Sequence, residues 1–87
     1  MSTPMRFLDL ACEIYEFGTR ADAIDTVYQT MDEHLLAGDL DWPDKVLGYA
    51  AQRATELPRA IGMSLVTVAR PWRSQLKNWE AAEAIFV

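Results

Sequence analysis

Apolar side chains recur along this chain at intervals of three and four, and that spacing predicts helix almost from end to end. Phe7, Leu8, Ala11, Ile14 and Tyr15 share one face of a helix over residues 5–17, and Gly18 supplies its stop through a left-handed residue. Thr19 then offers a hydroxyl to cap a second helix, with Asp22 suited to its positive end. Ile24, Val27, Tyr28, Met31 and Leu35 form the clearest stripe in the chain, opposed by Asp22, Asp25, Gln29, Asp32 and Glu33, and Gly38 ends the segment.

Residues 39–44 read as a linker leading into a third helix, with Pro43 in a first turn that has no need of its missing amide hydrogen. Val46, Leu47, Ala50, Ala54 and Leu57 point its apolar face inward, and Pro58 breaks it. A fourth segment over residues 59–69 carries Ile61, Leu65, Val68 and Ala69 on one side, while Ala60, Gly62 and Ser64 allow a neighbour to approach closely. Pro71 either starts a fifth helix or kinks a continuous one. Beyond it Trp72, Leu76, Trp79, then Ala82 or Glu83, and Phe86 continue at helical spacing. No strand-like alternation and no repeat competes. The expected fold is all-α: residues 1–87 as a single bundle of four to five short, mostly antiparallel helices joined by short connections.

Composition narrows the picture. With 87 residues, 51% of them hydrophobic, the chain can bury a core but has little stability to spare. Its single cysteine, Cys12, excludes an internal disulfide and a cysteine-built zinc site. Acids interrupt the amino-terminal residues before a long apolar run forms, and the longest apolar stretch, 60–69, is far short of the roughly 18 residues of a membrane helix. A cytoplasmic, reducing setting is the expectation.

Charge is divided unevenly. Residues 1–44 hold ten acidic and two basic side chains, whereas residues 45–87 hold six basic and three acidic ones, within a net charge of −5. Such asymmetry concerns which surfaces attract each other, in one molecule or between two. In 70–79, cations alternate with tryptophans: Arg70, Arg73 and Lys77 fall on one helical side, and Trp72, Leu76 and Trp79 on another. The bland reading makes the tryptophans core anchors with the cations in water. The functional reading makes the segment a binding surface, since tryptophan and arginine concentrate at the energetic centres of interfaces. Its complement would be the acidic side of the second helix, with Asp25, Asp32 and Glu33.

Catalysis has a weak footing here. His34 stands alone, in the last turn of the second helix, where a cation suits the negative helix end. A nucleophilic pair of Cys12 with His34 would lack a third, orienting group, and no phosphate loop or nucleophile elbow is present. An EF-hand loop beginning at Asp39 would require glycine at its sixth position and glutamate at its twelfth, where Asp44 and Ala50 stand. Helix capping accounts better for Asp39, Asp41 and Asp44. Nucleic-acid binding through Arg53, Arg59, Arg70, Arg73 and Lys77, with the break at Pro58 as a loose helix-turn-helix, is the alternative reading, and the net charge of −5 opposes it. Three cations are also few for an amphipathic helix lying on a membrane surface. The expectation is therefore a non-enzymatic module that associates with a protein partner or with itself as a homodimer, with no cofactor, no metal and no small-molecule substrate.

Overall fold

Thr3 opens the first helix. Its Oγ1 accepts the Arg6 amide at 3.1 Å and Pro4 follows as the first helical residue, so α1 runs Pro4–Phe17 in the computed structural model, which describes residues 3–87. Phe7, Leu8 and Ala11 are buried from it. Gly18 ends α1 as expected but not through a left-handed turn: its φ is −110°, and a Cβ there would meet the Ile14 carbonyl oxygen at 2.9 Å.

Thr19 caps α2 (Arg20–Leu36) through its Oγ1, which accepts the Asp22 amide at 3.0 Å. The left-handed glycine is at the other end of α2, where Gly38 has φ +81°. There the Gly38 amide donates to Leu35 O and the Asp39 amide to His34 O, a paired closure that satisfies two carbonyls of the last turn.

α3 spans Asp41–Gln52, beginning inside the expected linker, with Trp42 and Pro43 already buried. It also stops sooner than the apolar spacing suggested. A short 3-10 turn, Ala54–Glu56, follows, and Leu57 reaches the core from an extended backbone (φ −97°, ψ 138°) rather than from a helix. α4 (Arg59–Ala69) is buried on most of its circumference, which its neighbours explain: α2 lies against one side and α5 against another. Ser64, its one buried polar residue, turns its hydroxyl back to Ala60 O at 2.7 Å.

Pro71 neither kinks a long helix nor begins the fifth one. Residues Arg70–Gln75 wind as 3-10 turns, Leu76 is extended (φ −112°, ψ 126°), and α5 runs only Trp79–Phe86. The Trp72, Leu76, Trp79, Phe86 spacing is therefore not one helical stripe, although Leu76, Trp79, Ala82 and Phe86 are all buried. The chain is an all-α bundle of five helices, with no strand among the described residues. Each helix packs on two main neighbours in the cyclic order α1, α2, α4, α5, α3 and back to α1. Their inward side chains meet in one cluster that includes Leu8, Val27, Met31, Leu47, Ile61 and Leu65.

Candidate interaction surface

Because α4 ends in a 3-10 turn, the Arg70 amide bonds to Thr67 O, three residues back. The Val66 carbonyl thus loses its ordinary helical partner, and the Trp79 indole N–H takes that place at 2.9 Å in the interior. Trp79 is only 5% exposed and Leu76 only 6%. Both are core residues, so the apolar half of the expected binding surface faces inward; only Trp72, half-buried, retains an accessible part. The physical reason is the 3-10 and extended backbone, which turns the Leu76 and Trp79 side chains inward while α5 folds back over α3 and α4.

The cations of the segment do reach solvent. The Arg70 guanidinium lies 5.6 Å from the centroid of the Trp79 ring, a cation–π contact that covers the indole from outside. Arg73 Nη1 donates to Arg70 O at 3.1 Å, and Lys77 is exposed. Asp25 and Glu33 are exposed on α2 and Asp32 is half-buried, with the Asp25 carboxylate accepting the Gln29 side-chain amide at 3.0 Å. Among the described residues, no ion pair joins these α2 acids to Arg70, Arg73 or Lys77.

Arg53 links the two halves of the chain across a long sequence separation. Arg53 Nη1 donates to Asp9 Oδ1 at 2.9 Å and touches Met5 Sδ, while its Nε donates to Glu56 at 3.4 Å. Bonding to Asp9 raises the Arg53 pKa further, against the opposing effect of burial. Arg59 Nε donates to the Phe86 carbonyl. Of the five cations that a nucleic-acid surface would use, Arg53 and Arg59 are thus tied to distant parts of the fold, while Arg70 and Arg73 make contacts at the surface of their own segment and α5.

The three linker aspartates divide their work, and none caps α3, whose start has no side-chain cap. Asp41 pairs with Lys45 at 3.1 Å in water, a contact worth little. Asp44 accepts the Asn78 amide at 2.9 Å while Asn78 Nδ2 donates back to Asp44 O at 3.1 Å, which pins the start of α5 onto α3. Asp39 Oδ2 accepts from His34 Nδ1 at 2.8 Å. The His34 ring also stacks on Trp42, centroids 3.8 Å apart and planes within 7°, and Trp42 in turn meets Phe7. His34 is thus engaged by Asp39 and Trp42 rather than by Cys12. This aromatic ladder is a feature the apolar spacing alone did not disclose.

Burial pushes the Cys12 thiol above its ordinary value; Arg53 works against the shift, and Asp9 and Glu16 add to it. That is opposite to the direction a nucleophilic cysteine needs. The folded chain holds the Cys12 proton to higher pH than the unfolded one, so alkylation of Cys12 at mildly alkaline pH is expected to be slower in native protein than in urea. Iodoacetamide rates measured in both states check this, and a faster native rate would reverse the assignment.

Among the described residues no group of three or more His, Cys, Asp or Glu is placed to hold a metal ion, and no helix is long and apolar enough to cross a membrane. Compared with known proteins, the chain matches no family model, no curated protein and no solved structure.

Proposed function

We propose that the chain is a small non-enzymatic interaction module that associates, with a protein partner or with another copy of itself, through complementary charged surfaces. One surface is the exposed Arg70, Arg73 and Lys77 with the accessible edge of Trp72; the other is the α2 side bearing Asp25, Asp32 and Glu33. The observation that supports this reading is that the two surfaces are both accessible yet form no ion pair with each other within the chain. Opposite charge on separate faces accelerates encounter and sets orientation, and its effect falls with salt.

Arg73→Glu with Lys77→Glu tests it, since both side chains are exposed and the variant retains the core. Light scattering coupled to size exclusion is expected to show an ionic component of association at low salt that weakens as salt rises, and it is that salt-weakened component that the variant loses. A parent that is monomeric at every salt concentration, together with a variant that retains from cell extract the same proteins as the parent, would end this reading.

A further inference from the structure

The apolar stripe of α2 is wider than α1 and α4 cover. Ala23, Val27, Met31 and Leu35 are buried, but Ile24 and Tyr28 stay half-buried along its edge. Across from them α4 presents Ala60, Ser64 and Met63, the last 42% exposed. Between the two helices lies an open trough of about 280 Å³, lined by Ile24, Tyr28, Ala60, Met63, Ser64 and Thr67 with Arg20 at its border. It continues over α2 onto a shelf of Ala21, Ile24 and Tyr28 that Asp25 borders. The Tyr28 hydroxyl makes no hydrogen bond to the described residues, and Arg20 forms no ion pair with them.

We propose that this α2–α4 face seats a second copy of the chain about a two-fold axis, with Ile24, Tyr28 and Met63 of each copy packed on the other. Arg20 of each copy faces Asp25 of its partner. The charge pattern selects this occupant. A two-fold interface uses the same patch twice, so the patch must carry its own complement. Here it does: an apolar strip is bordered by one cation, Arg20, in no ion pair among the described residues, and one anion, Asp25, whose carboxylate accepts the Gln29 side-chain amide and has further acceptor capacity for a partner across the axis. A uniformly basic partner would oppose Arg20, and a uniformly acidic one Asp25. The net charge of −5 per copy acts against association only at long range and is screened beyond roughly 8 Å at physiological salt. Tyrosine and methionine also suit an interface core, the first through its large amphipathic ring and the second through its adaptable packing.

This surface shares Asp25 with the acidic side of α2 proposed above but otherwise uses other residues, and salt separates the two associations. An apolar contact between two acidic copies is expected to hold or tighten as salt rises, whereas the ionic association weakens. Sedimentation equilibrium of the full chain at several salt concentrations reads the dimer dissociation constant. Arg20→Asp and Asp25→Arg alone are each expected to weaken the dimer about tenfold or more, because each leaves like charges facing across the axis. The double exchange R20D/D25R restores a constant within about threefold of the parent, since the cross-axis pairs are merely reversed. Met63→Glu, at an exposed position, is expected to give a monomer with an unchanged far-ultraviolet circular dichroism melt. Arg73→Glu with Lys77→Glu leaves this dimer intact. A parent that remains monomeric at high salt and the highest attainable concentration, or a double exchange no better than its single variants, overturns the proposal. A dimer lost in the Arg73→Glu, Lys77→Glu variant but indifferent to Arg20→Asp would transfer self-association to the charged surface instead.

Discussion

Trp79→Ala is expected to lose about 3–5 kcal/mol, a large share of what stabilises a domain of this size. Two effects add. The indole is 5% exposed, so its removal leaves a cavity between α4 and α5. Its N–H is also the interior partner of Val66 O, whose usual helical donor, the Arg70 amide, has turned to Thr67. Trp79→Phe separates the terms. It retains most of the apolar volume but leaves a buried carbonyl without a donor, which costs about 1–3 kcal/mol. Urea unfolding followed by circular dichroism reads both. A Trp79→Ala variant that unfolds at the parent's urea midpoint would place the indole outside the core and restore Trp79 as a surface contact. The same pair of measurements therefore decides whether the tryptophan of the 70–79 segment stabilises the fold or recognises a partner.

That tryptophan marks where sequence reasoning succeeds and where it stops. Ile24, Val27, Met31 and Leu35 announce α2 because a long, two-sided helix maps directly onto a period of 3.6. Thr19 and Gly38 bound it for local reasons of hydrogen bonding and φ, legible from the residue types alone. Past Pro71 the period is an accident. Three residues per turn in 70–75 and an extended Leu76 place the same side chains inward by another route, and only the tertiary packing of α5 reveals it. The same holds at Leu57, which is buried without being helical. The aspartates of the linker were ambiguous because their partners are distant or specific: Asp44 meets Asn78, 34 positions on, and Asp39 meets a histidine held flat against Trp42. The charge division between the halves was plain in the sequence, but its fate depended on geometry. Among the described residues, only Arg53 reaches back to an acid of α1, and Arg70, Arg73 and Lys77 are exposed.

Gly62→Ala is expected to destabilise the fold by about 1–3 kcal/mol, although alanine is the better helix former by about 1 kcal/mol. Gly62 lies within α4, where small size had suggested the close approach of a neighbour. That neighbour is the Phe86 ring of α5: a Cβ at Gly62 would stand 2.2 Å from its Cδ1 and 2.4 Å from its Cγ. The clash reaches the root of the ring, so a rotation of its tip does not relieve it, and the last turn of α5 must move. That turn also holds the Phe86 carbonyl against Arg59 and buries Phe86 itself. The diagnosis has a sharper form than a loss of stability. In a Phe86→Ala background, itself about 3–5 kcal/mol less stable if the site collapses poorly, the obstacle is gone. Gly62→Ala should then change sign and stabilise by roughly 0.5–1 kcal/mol through helix propensity alone. Chemical denaturation of the four members of this cycle measures the coupling. Equal costs in both backgrounds would mean that Gly62 is needed for the backbone of α4 and not for the seat of Phe86.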